Sequence, residues 1–329
     1  GGAARTDAST ASRTQLFGLA SLAWEPDLVD WWGIPPGALP TVVPSVGDLG
    51  DLGHERWDAA LPLRAMVCDQ QAALAGQGGH APGTIKATFG TGVFVLANAG
   101  QSVPSAPEGL LVTVAWTDAA GQPTYALDGG VFSAGALIDW LRDGIGILED
   151  ATGLDALAMT VGDAGGVRVL PALAGVGAPW WKPEARGVIA GLTAATQRGH
   201  LARAAIDAIA QRTADVVDEM AAAMPEAPAR IRVDGGLTAS RALMERLADL
   251  LGRAVDVAAH PESTALGTAL MAGIGAGRLT EAEATAVTAT ARVVEPSLGD
   301  RERIDERAAW RSFVPRAVAL ASPPDIAAG

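Results

Sequence analysis

The chain has 329 residues, 49% of them hydrophobic, and 24 Lys and Arg against 37 Asp and Glu give a formal charge of −13. That length suggests two domains, and the negative balance, with no basic cluster to offset it, argues against nucleic-acid or anionic-membrane partners. A single cysteine, Cys68, excludes an intramolecular disulfide and suits a reducing cytoplasm, while no apolar run, 264–277 being the longest, reaches the roughly 18 residues of a membrane span.

The opening Gly1-Gly2-Ala3-Ala4-Arg5 has no Met and no signal-peptide pattern, as expected of a piece of a longer chain. Residues 15–40 are expected to be helical and then looped, with Leu16, Leu19, Leu22, Leu28 and Trp31 giving apolar faces and Gly33, Pro35 and Pro36 ending the run. The Gly- and Asp-rich stretch 41–60 predicts a surface loop. A short strand at 63–67 leads into Cys68-Asp69-Gln70-Gln71, a helix opens over 72–76, and 76–83 forms a hinge.

Alternation over 84–89 and 93–97 around Gly90-Thr91-Gly92 predicts a hairpin, and 110–117 with 124–127 a second. A helix over 133–147 and a strand over 167–170 follow. Ala202, Ile206, Ile209, Val216 and Met220 keep i, i+3, i+4 spacing and give the plainest helix, 200–224, closed by Pro225. Next come a strand at 230–233, a turn at Asp234-Gly235-Gly236, a helix at 242–251 with Gly252 past its end, a strand at 254–257 and a helix at 264–276. The mixed charges of 301–307 predict one solvated helix face. Hairpins followed by alternating strand and helix point to an α/β domain with a mixed sheet.

Three motifs carry chemistry. Gly90-Thr91-Gly92 lets backbone N–H groups approach a phosphate, with the Thr hydroxyl as a further donor. Asp234-Gly235-Gly236, between strand and helix, leaves room for a flat ligand. Asp69 places a carboxylate at a strand end, where it can act as general base. Taken singly, each is more often an ordinary turn, an ordinary strand-to-helix connection, or a cap.

Their order is more telling. Thr6-Asp7-Ala8-Ser9-Thr10-Ala11-Ser12-Arg13-Thr14, Gly33-Ile34-Pro35, Asp69-Gln70-Gln71-Ala72-Ala73-Leu74 and Gly90-Thr91-Gly92 follow one another. Ala134-Gly135-Ala136, Gly177-Ala178-Pro179, Ala185-Arg186-Gly187, Val233-Asp234-Gly235-Gly236 and Thr264-Ala265-Leu266-Gly267 continue the series. In this order the chain resembles the C-terminal two-thirds of the glycerol-phosphorylating branch of the FGGY carbohydrate kinase family. The resemblance implies a ribonuclease-H-like (actin/hexokinase-type) ATPase fold. Residues 1–77 would be the tail of an incomplete N-terminal substrate domain, and 78–329 the nucleotide-binding domain. It implies ATP-dependent phosphorylation of glycerol with Mg²⁺, in the cytoplasm, and a homo-oligomer at full length. Asp69 matches the family's general base, Gln70 and Phe94 its glycerol contacts, Thr91 and Gly135 its phosphate-side contacts, and Gly236 an adenine-side contact. No protein metal ligand set is expected.

The sequence departs from the family pattern in places. Cys68 stands where Gly is common, Asp139 where a Gln touches nucleotide, Ser240 where an Asn does, and Lys182 where Asp is usual. Asp139 places negative charge beside a polyanion unless a cation sits between. Residues 47–60 match poorly the loop that binds a sugar-bisphosphate inhibitor in some members. The family's first phosphate loop and most of its glycerol-holding residues have no counterpart, so the chain alone is expected to be inactive. Two alternatives stand beside glycerol: another polyol or sugar kinase of the same family, or a non-catalytic nucleotide-binding half of a split kinase.

Overall fold

The computed structural model describes residues 4–35 and 37–321. The opening Gly1-Gly2-Ala3, and Pro36 of the expected helix stop, lie outside the described residues. A seven-stranded mixed sheet organises the fold. Its strands are β1 (Ile85–Phe89), β2 (Val93–Gly100), β3 (Leu111–Thr117), β4 (Pro123–Val131), β5 (Arg230–Asp234), β6 (Ala254–Ala258) and β7 (Thr290–Val294). They lie in the order β7-β6-β5-β1-β2-β4-β3. β5 runs parallel to both β1 and β6, and the other neighbours are antiparallel. Both expected hairpins form. β4 runs four residues beyond the expected 127.

The strands alternate between two covered faces. Ile85, Ala87, Phe89, Val93, Val95, Ile231, Val233 and Val255 join the main core with three helices. These are Arg198–Ala222, Arg241–Leu251 and Asp300–Ala321. The opposite face is thinner. There Leu96, Ala126 and Trp116 meet Leu74, Ala75 and Met271 from α1 (Asp69–Gly76) and α2 (Ser263–Gly275). Further along it, Val114 and Tyr125 meet Ala8, Ala11 and Phe17 of the opening segment, and the Tyr125 hydroxyl donates to the Leu19 carbonyl at 2.8 Å.

Several expectations need correction. Residues 15–25 are not helical: Phe17–Gly18 and Ala23–Trp24 pair antiparallel, with Gln15 at φ 64° and Leu22 at φ 50°, so the helix of this stretch is only Pro26–Trp31. The stretch 41–60 is not all loop, since Thr41–Val43 pairs parallel with Arg5–Asp7. The expected strand at 63–67 is reduced to a bridge between Val46 and Ala65. The helix expected over 133–147 is Gly135–Asp139, continued as a π-helix over Trp140–Gly144. Arg307 is not on a solvated face. It is buried, and its guanidinium donates to Gln211, Asp215 and Asp218. Asp215 in turn accepts from Arg212, Trp180 and Trp310, which ties the C-terminal helix to the 177–181 loop.

Candidate active site

Asp69 is the first residue of α1, after Cys68 as N-cap. A chain of buried bonds sets that cap in place. The carboxylate of Asp7, fully buried, accepts from the Ser9 hydroxyl at 2.6 Å and the Ser45 hydroxyl at 2.7 Å, and the Cys68 N–H donates to the Ser9 Oγ at 2.8 Å. The opening motif therefore has a mechanical task, which is to anchor the backbone just before Asp69. The Asp69 side chain is exposed, its Oδ1 accepts from the Gln70 N–H at 2.7 Å, and it sits at the positive end of the helix.

Sheet register builds the facing wall. Lys86 lies opposite Leu96, and Leu96 opposite Asp128; one row further, Asp234 lies opposite Thr88, Thr88 opposite Phe94, and Phe94 opposite Gly130. All of these sit on the face that α1 covers. Asp69, Gln70 and Phe94, the three sequence-predicted residues of the substrate side, line one cavity of about 210 Å³ with Arg13, Cys68 and Asp128. Phe94 is 41% exposed into it, unusual for a central strand.

Three residues of this wall had no role in the sequence reading. Arg13 pairs with the nearly buried Asp128 at 2.6 Å. Burial pushes the Asp128 carboxyl up from the usual carboxylate range, and Arg13 pulls it back. Lys86 is wholly buried; its Nζ donates to Gln70 Oε1 at 2.5 Å, Thr88 Oγ1 at 3.0 Å and the Phe94 carbonyl at 3.4 Å. The signal for it was available: in Ile85-Lys86-Ala87-Thr88-Phe89 the period of two puts the lysine on the same face as Thr88. Arg13 stood inside a quoted motif with nothing to indicate its partner, 115 residues away at Asp128.

Of the residues expected on the nucleotide side, Thr91 and Gly236 follow the C-terminal ends of β1 and β5. The Gly90–Gly92 turn docks on the start of the 135–139 helix, where the N–H groups of Ala134, Gly135 and Ala136 donate to the carbonyls of Thr91, Gly90 and Thr91. A Cβ at Gly135 would lie 2.6 Å from the Gly90 carbonyl oxygen, so only glycine lets the two approach. Gly235, at φ 92°, packs as closely on Phe89, whereas Gly236 has open space where a Cβ would stand. Asp234 is buried at the end of β5, and its Oδ1 has no hydrogen-bond partner. The open space at Gly236 leaves room for a flat ligand.

The two departures in this region are placed differently from what the family pattern expects. Asp139 pairs with Arg142 at 3.0 Å, but the same guanidinium donates twice to Asp143 at 2.7 Å, so one cation is shared between two carboxylates and the charge of Asp139 is only partly offset. The Ser240 hydroxyl donates to Asp155 at 2.5 Å and accepts from the Leu243 N–H at 3.1 Å, capping the helix that follows. Trp181 is 40% exposed, packs edge-on against Phe132 and donates its indole N–H to the Gly109 carbonyl. Among the described residues, no three His, Cys, Asp or Glu side chains converge as a metal cluster, and no helix is long and apolar enough to cross a membrane.

Comparison with known proteins bears on this geometry. The models of the FGGY family of carbohydrate kinases match residues 1–76 with their N-terminal domain and 85–276 with their C-terminal domain. The chain is 44% identical over 310 residues to a glycerol kinase of Citrifermentans bemidjiense, covering 94% of this chain and 62% of that protein. It is 41% identical over 310 residues to a glycerol kinase of Corynebacterium glutamicum, covering 94% and 61%. Among solved structures, Plasmodium falciparum glycerol kinase with ADP superposes with a TM-score of 0.89 at 28% identity, over 96% of this chain and 64% of that one. Xylulose kinase from Rhodospirillum rubrum gives 0.77 at 29%, over 95% and 65%. The chain thus spans less than two thirds of the length of the curated relatives it matches. The strand order and these superpositions establish the ribonuclease-H-like ATPase fold expected from the resemblance.

Proposed function

The chain belongs to the FGGY family of carbohydrate kinases, and we propose that it carries the general base and the nucleotide side of an ATP-dependent phosphorylation of glycerol to glycerol 3-phosphate. The observation that carries this reading is the convergence of Asp69, Gln70 and Phe94 on one cavity. Asp69 accepts the proton of a terminal hydroxyl as that oxygen bonds to the γ-phosphorus; the bond from phosphorus to the β–γ bridging oxygen breaks, and ADP leaves. Gln70 hydrogen-bonds a second hydroxyl, and Phe94 presses on the carbon chain. Thr91 and Gly135 serve the phosphates, and Gly236 leaves room for adenine. Asp139 and Ser240 stand at the edge of the nucleotide site, the first paired with an Arg142 that it shares with Asp143, the second acting through the helix it caps.

Mg²⁺, when bound, draws charge from the transferring phosphoryl group. The residues present fit an ion that arrives on the nucleotide and takes few protein ligands, as Mg²⁺ commonly does. On this reading residues 1–77 close a substrate domain and 78–329 form the nucleotide domain, in a cytoplasmic enzyme with ready access to ATP.

Calorimetric titration of the chain with Mg-ADP tests the proposal. Saturable binding that Gly236→Arg abolishes is expected, because an arginine would fill the open space beside Gly236. No binding by a chain shown to be folded would overturn the nucleotide assignment.

A further inference from the structure

An ammonium removed from water is costly unless its protons are taken up. Lys86 is 0% exposed, yet among the described residues no carboxylate lies within ion-pair distance of it. Its three protons meet three neutral acceptors: Gln70 Oε1, Thr88 Oγ1 and the Phe94 carbonyl. Two of those belong to the residues assigned above to glycerol, and the third shares a sheet row with Phe94 and Asp234. A methionine would fill the same volume without the desolvation cost. What the lysine adds is direction.

We propose that Lys86 is a positioning residue for the polyol side of the site, holding the Gln70 amide and the start of β2 at Phe94 in the orientation that meets substrate. An ammonium has only donors, so Gln70 must turn Oε1 toward it. That leaves Nε2 as the group Gln70 offers to a ligand, and so a donor for the oxygen of a hydroxyl. The same contact ties α1, which carries Asp69, to the hairpin whose turn carries Thr91. The charged groups facing Lys86 are Asp234 from β5, Asp128 from β4 and Asp69 from α1. Burial lowers its pKa to about 8 against the pull of all three. The charge-assisted bond to Gln70 is therefore present well below pH 8, half lost near it and weaker above it. The proposal rests on the assignment of Gln70 and Phe94 to glycerol.

Two measurements test it. In the full-length protein, Lys86→Met should raise the KM for glycerol about tenfold, the size of one lost hydrogen bond to a charged group, with the KM for ATP within about twofold. The wild-type KM for glycerol should climb above pH 8, and that of Lys86→Met should be flat. Equal changes in both KM values, or an unchanged pH profile, would reduce Lys86 to packing and overturn the proposal. Should the wild-type protein phosphorylate no glycerol, the functional reading has failed separately, and the Gln70 side-chain amide resonances of this chain then decide. A shift on Lys86→Met, matched by a wild-type inflection near pH 8, supports the orienting contact; identical, pH-independent resonances overturn it.

Discussion

Cys68 shows how neighbouring residues outweigh a local rule. A cysteine at a helix N-terminus ordinarily has its thiolate stabilised by the helix dipole. Here burial, and then the adjacent Asp69 carboxylate, push the thiol up from its ordinary range to about 11. The folded state keeps the proton where the unfolded chain gives it up, so Cys68 costs stability as pH rises through that window. A shift of two units leaves about a hundredfold less thiolate at pH 8. Iodoacetamide should therefore label the folded chain at pH 8 far more slowly than the urea-unfolded chain, with the rate still rising beyond pH 10. A folded-state rate that levels off near pH 9 would contradict this placement. Cys68 is thus an inert thiol beside Asp69, the carboxylate proposed as general base.

At the scale of elements, the position of Asp69 depends on two helices with almost nothing between them. A Cβ at Gly76 would stand 2.0 Å from the Ser263 carbonyl oxygen, and one at Gly267 would stand 1.8 Å from the Ala72 carbonyl oxygen. Backbone cannot yield as a side chain can. Gly267→Ala should force α1 and α2 apart and cost about 1–3 kcal/mol, as overpacked sites do. Gly273 lies on the same helix but would meet only the Leu279 side chain, at 2.7 Å, which can rotate away. Urea unfolding should therefore show a lower midpoint for Gly267→Ala and a smaller change for Gly273→Ala; equal midpoints would show that this helix pair yields easily. The elements legible in the sequence were those with a full period, such as the long helix at 198–222 and the β1–β2 hairpin. Leu16, Leu19 and Leu22 imitated a helix because their spacing matches one, while the positive φ at Gln15 and Leu22 that turns the chain leaves no such trace. β7 was missed because Thr290–Val294 is an edge strand with no buried residue. Of the candidate site, the glycine turns and Asp69 were legible through their order along the chain, and the face of Lys86 through the period of two, but Arg13 and Asp128 meet through a long-range pair that no local pattern encodes.

For the whole molecule, the two faces of the sheet are unequally supported, and this sets where the chain opens first. The main core holds one face with three long helices, while the opening segment is held by a small cluster around Phe17 and Tyr125, the Asp7 bonds and the Arg13–Asp128 pair. Within that segment every residue from 51 to 60 is exposed, and its only regular element is the two-residue pairing of Asp51–Leu52 with Leu61–Pro62. Segments with few buried contacts open at little cost, independently of the rest. Arg56 lies in this stretch, whereas Arg64 is held by Asp48 at 2.7 Å. Arg186, exposed in the loop that follows residue 181, folds its guanidinium onto the carbonyls of Pro183, Glu184 and Ala185. Limited trypsin digestion should therefore cut first after Arg56, leaving 85–258 intact, as followed by mass spectrometry. A first cut after Arg186 would place the weakest part of the fold in the 182–187 loop instead. Mg-ADP should leave the Arg56 rate unchanged, because none of the residues assigned to the nucleotide lies in that segment; a slower cut there would mean that nucleotide binding tightens the opening segment at a distance.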